Sequence, residues 1–252
     1  MEISDSKHES ISMENLKLAE GLTLVKTNDG SSTIFHPGIG EHYHSHHGAL
    51  QESKHVFLKS GLEYFLKREA KAGNSIAEVS ILEVGFGTGL NYLLTADYCF
   101  ENKIGLRYTG IERFPLSKEL INATGYTSTV NQELADNFKS NYSEAIADAE
   151  PRKLQILNNS FLEIDVRDAK DFQSDKLFDV LYFDAFSAIH QPEMWTKELL
   201  ATVCNCLKPG GVFITYAITG NLKRNLKSLG LEIEKVPGAP GKREMLRAIA
   251  PQ

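Results

Sequence analysis

The chain has 252 residues, of which 42% are hydrophobic and 24% charged, and its formal net charge is −6. That length suits one large domain, or one domain with a small appendage, and no apolar run approaches the ~20 residues of a membrane span. Its three cysteines, Cys99, Cys204 and Cys206, make no disulfide framework. They read as small packing residues in a reducing cytoplasm, with Cys204 and Cys206 in one expected helix and pointing in different directions.

Residues 1–20 are polar and acidic without an apolar segment, so a flexible tail is expected there rather than a secretory or transit signal. Residues 21–73 read as an N-terminal extension. "GLTLVKTNDGSSTIFHP" predicts a hairpin around the turn "NDGS", and a His-rich loop follows. A helix is expected across "LQESKHVFLKSGLEYFLKREAKAG", where Val56, Phe57, Leu62, Phe65 and Leu66 recur mostly at helical spacing and Gly73 ends the run.

From residue 74 to 252 strands and helices alternate. "VSILEVG" predicts a buried strand, the segment after "GFGTG" a helix, and "LRYTGIE" a second strand. A polar, mostly helical stretch covers about 117–150, and "FLEIDV" and "FDVLYFD" predict two further strands. "EMWTKELLATVCNCL" is a helix entered through Pro192, "KPGG" turns the chain into the strand "VFITYA", and a helix runs from Asn221 to Leu229. "LEIEKV" and "EMLRAIA" close the pattern as a strand pair. The alternation predicts a mostly parallel α/β sheet covered on both faces, with an antiparallel strand at its C-terminal end.

In such a sheet ligands bind outside the carboxyl ends of the strands, where the strand order reverses. The strand "FDVLYFD" runs straight into a carboxylate, Asp184, and three other acids gather at strand ends: Glu83, Glu112 and Asp168. The loop "EVGFGTGLN" supplies Gly85, Phe86, Gly87, Gly89 and Asn91. A dinucleotide fingerprint would place a third glycine where Leu90 stands. A crevice lined with acids suits S-adenosylmethionine better, because that cofactor has no phosphate and carries a sulfonium cation. On this reading the loop's backbone N–H groups meet its carboxylate, Glu112 takes the ribose hydroxyls and Asp168 accepts from the adenine amino group.

"TNDGSSTIFHPGIGEHYHSHHGALQESKHVFL", "EVGFGTGLN", "IERFPL", "FDVLYFDAFSAIHQPEMWT", "LKPGGVFITY" and "GKREML" together resemble the tRNA 5-methylaminomethyl-2-thiouridine methyltransferases, the MnmC methyltransferase domain or stand-alone MnmD. Many members read Asp-Gly-Phe followed by Ala-Pro, where this chain has Asp184-Ala185-Phe186-Ser187-Ala188. The resemblance implies a Rossmann-like class I methyltransferase fold, without the flavin-dependent oxidoreductase domain that some members carry. It implies methylation of a 5-aminomethyl group on the wobble uridine of tRNA, recognised through the anticodon stem-loop in the cytoplasm, with a separate enzyme supplying the substrate. Asp184 would position the amine, accepting its proton only if burial raises the carboxyl pKa. Phe186 would stack on the uracil, and Trp195 would either wall the pocket or hold a helix to the sheet. Glu41, Tyr43 and His44 would border the substrate entrance, and Lys242 and Arg243 would meet phosphates.

No metal is expected. His42, His44 and His46 share a face only if their segment is extended, and no cysteine or further acid completes a site. Two other readings stay open. An amine-directed transferase such as an aminopropyltransferase would need further acids for a distal ammonium. A noncatalytic RNA-binding module would have no use for an intact glycine loop.

Overall fold

The computed structural model describes residues 21–147 and 151–252, and the expected tail over 1–20 lies outside them. A three-stranded antiparallel sheet comes first: β1 (Thr23–Lys26), β2 (Ser32–His36) and the short β3 (Glu41–His42). The expected hairpin is therefore present and has gained a third strand. The helix that follows is continuous but changes pitch, from α1 (Ala49–Ser53) through a π-helical stretch (Lys54–Leu62) to α2 (Glu63–Lys71). It lies close against the main sheet at Gly61, where a Cβ would stand 3.0 Å from Ile214 and 3.2 Å from Tyr182. Leu22, Ile34, Val56 and Phe57 share one apolar core with Ile81 and Tyr182.

The rest of the chain runs β4 (Glu78–Val84), α3 (Leu90–Glu101), β5 (Gly105–Ile111), α4 (Lys118–Thr124), α5 (Gln132–Ala145), β6 (Leu154–Leu157), β7 (Ser160–Asp165), β8 (Phe178–Phe183), α6 (Lys197–Cys204), β9 (Leu207–Thr215), α7 (Gly220–Ser228), β10 (Glu232–Pro237) and β11 (Glu244–Ile249). These strands form one sheet in the order β10-β11-β9-β8-β4-β5-β7-β6. The strands from β9 to β7 are parallel, and β8 is buried at every position, as a strand covered on both faces must be. From β4 the chain moves to β5 and β7 on one side, while β8 and β9 lie on the other. The strand order therefore reverses between β4 and β8. Val84 sits opposite both Ile111 and Phe183. One residue further on, Gly85, Glu112 and Asp184 leave the sheet at the same level.

Local chemistry explains the departures from expectation. Ser117 caps α4 and Asn131 caps α5, so the polar stretch after Leu116 breaks into separate helices. An additional strand, β6, pairs antiparallel with β7 across Asn158-Asn159, with Asn159 at a left-handed φ of 59°. "KPGG" is a bulge inside β9 rather than a turn before it, since Phe178 pairs with Leu207 and Val180 with Val212. Cys206 lies beyond the end of α6, and all three cysteines are buried and unbridged. Pro192–Trp195 forms a separate 3-10 turn before α6, whose cap is Thr196. Among the described residues no helix is long and apolar enough to cross a membrane.

Candidate active site

The level strand ends open into a cavity of about 830 Å³, a size that holds a cofactor together with part of a substrate. Its contacts fall into two neighbourhoods, one around Glu112 and one around Asp184.

At the Glu112 end, the backbone turns sharply out of β4. Gly85 has φ 86°, and a Cβ there would stand 2.5 Å from the Asp184 carbonyl oxygen, so only glycine lets β4 and β8 exit side by side. Gly87 has φ 52°, and its Cβ would meet the Tyr43 ring at 3.0 Å. The Gly87 N–H donates to Glu112 Oε2 at 2.9 Å and the Phe114 N–H to Oε1 at 2.9 Å. Burial raises the Glu112 pKa, and these N–H bonds pull it back. Asp168 also faces the cavity, paired with Arg113 at 2.8 Å and Lys170 at 3.4 Å. Gly89 is the N-cap of α3 and packs against Phe86 and Phe138. Phe86 is buried in the core. Neither Phe86 nor Gly89 reaches the cavity.

Asp184 is held from behind. Glu83 is fully buried and accepts from Asn91 Nδ2 at 2.8 Å and from the Tyr108 hydroxyl at 2.7 Å. The same Asn91 amide donates to Asp184 Oδ2 at 2.8 Å. Glu83 and Asn91 thus brace Asp184 and do not line the cavity themselves. Burial, reinforced by the like charge of Asp184, lifts the Glu83 pKa well above the carboxylate range. Asp184 itself lines the cavity. Burial pushes its pKa up to about 8, the charges of Glu52 and Glu41 add to this, and Asn91 and Lys242 oppose it.

The loop after Asp184 is fastened by the N-terminal sheet. Glu41 accepts from the Ser187 N–H at 2.8 Å and the Ser187 hydroxyl at 2.9 Å. Phe186 then stands edge-on to Tyr43, with centroids 5.0 Å apart. Trp195 is a core residue: it is 7% exposed, packs on Phe183 at 5.0 Å and donates its indole N–H to the Phe186 carbonyl at 2.8 Å. His44 is buried, its pKa driven down to about 4 by burial, and it borders the cavity as a neutral imidazole. Among the described residues no cluster of His, Cys, Asp or Glu has the arrangement of a metal site.

Lys242 points inward, its Nζ 3.1 Å from Glu52 Oε2 and 3.8 Å from the Tyr216 ring centroid. Arg243 is exposed and outside the cavity lining, so the two residues do not make one basic face. Glu52 and Tyr216 are not evident as site residues from the sequence. Glu52 does leave a signal there, because Ala49 and Val56, three residues before and four after it, are both apolar and place it on the inward face of the helix.

The donor set fits S-adenosyl-L-methionine. Asp184, Glu112 and Asp168 line the cavity and favour a cationic cofactor, and Glu112 presents its carboxylate beside the glycine turn. The profile of an S-adenosyl-L-methionine-dependent methyltransferase family matches residues 130–251. The tRNA 5-methylaminomethyl-2-thiouridine biosynthesis bifunctional protein MnmC of Leptospira interrogans is 33% identical over 210 residues, covering 81% of this chain and 32% of that protein. The protein of the same name from Chromohalobacter salexigens is 29% identical over 227 residues, covering 88% of this chain and 32% of its own length. The chain therefore spans about a third of the length of these curated relatives. The crystal structure of MNMC2 from Aquifex aeolicus shares the fold, with a TM-score of 0.68 at 23% identity over 95% of this chain and 74% of that one. Fold and site define a class I S-adenosyl-L-methionine-dependent methyltransferase. More particularly, over 81% of its length the chain is similar to the MnmC protein of Leptospira interrogans.

Proposed function

We propose that this methyltransferase converts 5-aminomethyl-(2-thio)uridine to its 5-methylaminomethyl form at the wobble position of tRNA. The names of its relatives support the substrate. The observation that carries the reading is the placement of Asp184, which faces the cavity from a rigid strand end with Glu52 and Glu41 beside it. Such a chamber attracts an alkylammonium, repels anionic acceptors and offers neutral ones no charge attraction.

When bound, S-adenosyl-L-methionine supplies an electrophilic methyl group. Glu112 and the Gly85–Gly87 turn would hold its ribose and methionine portions. Asp168 would accept from the adenine amino group, since a carboxylate with two cationic partners keeps lone pairs to spare. Asp184 accepts an N–H of the acceptor amine and fixes the direction of its lone pair. An ordinary aspartate lies more than ~6 pKa units below an alkylamine, too far for useful proton transfer. In the unliganded protein burial holds the Asp184 pKa at about 8 and narrows that gap. A bound sulfonium lowers it again, so Asp184 positions the amine and takes its proton only as far as burial keeps its pKa raised. Phe186, fixed by Ser187 and Trp195, offers an aromatic edge to the base.

The direct test is incubation of the purified chain with cofactor and tRNA carrying 5-aminomethyluridine, followed by nucleoside mass spectrometry. Gain of one methyl on that nucleoside is expected. The aminopropyltransferase-like alternative is not favoured, because the relatives that match most of this chain are named for tRNA modification. Transfer to spermidine but not to tRNA would reverse that judgement.

A further inference from the structure

Lys242 is an unusual occupant of an active-site wall. Its backbone is fixed in the β10–β11 turn, with the Lys242 N–H on the Ala239 carbonyl at 2.8 Å and the Gly238 N–H on the Arg243 carbonyl at 3.2 Å. From that base the side chain reaches into the cavity and places its ammonium against Glu52 and over the face of Tyr216. The Glu52 side chain is only 8% exposed, whereas Lys242 keeps 34% of its own. The Tyr216 hydroxyl donates to the Ala185 carbonyl at 2.9 Å, which locks the ring beside Asp184. An acid, an aromatic face and a second acid make a cage for one cation. Lys242 ends in CH₂–NH₃⁺, the same group that a protonated aminomethyl substituent presents.

We propose that Glu52, Tyr216 and Asp184 form the subsite for the acceptor's ammonium group, and that Lys242 is a built-in placeholder displaced when the substrate enters. The inference rests on the reading of the acceptor as a primary alkylamine. Without Lys242, Glu52 keeps only the long bond from the Ser45 N–H at 3.4 Å, and a buried carboxylate without its cation is costly, so one cation leaves only as another arrives. The exchange conserves charge in the cage and selects for an alkylammonium over a neutral group of similar size. It also assists turnover, because the returning Lys242 competes with the methylated product for Glu52. Glu41, the remaining acid of this neighbourhood, stays engaged with Ser187 and is not part of the exchange.

The placeholder is tested first without cofactor or tRNA. In protein labelled with ¹³C at lysine, the Cε resonance of Lys242 should be displaced by the Tyr216 ring, 3.8 Å from its Nζ, and is assigned by its loss in Lys242→Met. Titration with ethylammonium chloride should move it toward the position of solvent-exposed lysines. The second arm is kinetic. Glu52→Gln should raise KM for aminomethyluridine tRNA by about tenfold or more, the scale of one charged hydrogen bond, with cofactor affinity retained by calorimetry. Ethylammonium should inhibit Lys242→Met more strongly than wild type. A Lys242 resonance that stays fixed at ethylammonium concentrations that inhibit the enzyme overturns the proposal, as does a wild-type KM in Glu52→Gln. If the wild type methylates no aminomethyluridine tRNA, the functional reading fails on its own, and the resonance titration still decides whether the cage takes an alkylammonium.

Discussion

Burial, reinforced by the charges of Glu52 and Glu41, sets both the chemistry of Asp184 and its effect on stability. Its carboxyl titrates at 3.8 in an unfolded chain and at about 8 in the folded one. Between those values the folded protein retains a proton that the unfolded chain has released. Stability therefore falls as pH rises through this window, by at most about 1.4 kcal/mol per pH unit for one proton, and the slope ends above about pH 8. Glu83 is raised in the same direction and steepens the trend. Denaturant titrations of the unliganded protein across neutral pH should show this decline, flattened in Asp184→Asn. A cationic cofactor reverses the preference, because a nearby positive charge favours the carboxylate. Its binding at neutral pH should release a proton, seen as a calorimetric enthalpy that depends on the buffer, and Asp184→Asn should abolish that dependence. The same variant is expected to lose methyl transfer by on the order of 100-fold. Buffer-independent binding to the wild type would show that Asp184 is already ionised.

At the scale of elements, the loop from Asp184 to Gln191 is held by distant parts of the chain. Glu41 of β3 grips Ser187, the Trp195 indole grips the Phe186 carbonyl, and the Tyr216 hydroxyl grips the Ala185 carbonyl. Removing the first in Glu41→Ala should loosen Phe186 with little change in melting temperature. Because Trp195 is the single tryptophan, its emission reports the loop directly and should shift to the red, with kcat/KM falling by about tenfold. Unaltered emission and unaltered kinetics would make Glu41 a surface acid and no more. These bonds also mark the limit of what the sequence makes legible. The strand ends can be read because β4 and β8 are apolar runs that stop at a glycine and an acid, and this puts Gly85, Glu112 and Asp184 together. Glu41–Ser187 and Glu52–Lys242 cannot be read, since their partners lie 146 and 190 residues apart and only the packed fold pairs them. Phe86 misleads for a local reason. An aromatic in a glycine loop looks like a ligand contact, yet Gly110 on β5 leaves a hollow that Phe86 fills.

Over the whole molecule, the proposed tRNA substrate is a polyanion, to be held by a chain of net charge −6 with a cavity lined by acids. From Lys208 to the end there are eight Lys and Arg against three Glu, a surplus of five, which leaves −11 for the rest. The folded chain uses much of that surplus internally. Lys208 pairs with Asp179, Lys235 with Glu244, Arg247 with Glu234 and Lys242 with Glu52. Arg243 instead is exposed beside the cavity. At the Asp168 end, Lys170 lines the cavity with 63% of its side chain exposed. Phosphates would be gripped by such rim cations, leaving the acidic interior to the amine. Arg243→Glu combined with Lys170→Glu should therefore weaken tRNA binding while cofactor affinity persists. The slope of log affinity against log salt should become shallower by roughly 0.7 to 0.9 for each phosphate that is no longer neutralised. Lys242→Glu should act differently: it places a third acid against Glu52 and Asp184, and its defect should survive at high salt, where phosphate attraction is screened. A double variant of Arg243 and Lys170 that binds tRNA like wild type at every salt concentration would place the RNA on another face, with α7 and its Lys223, Arg224 and Lys227 the next surface to reverse.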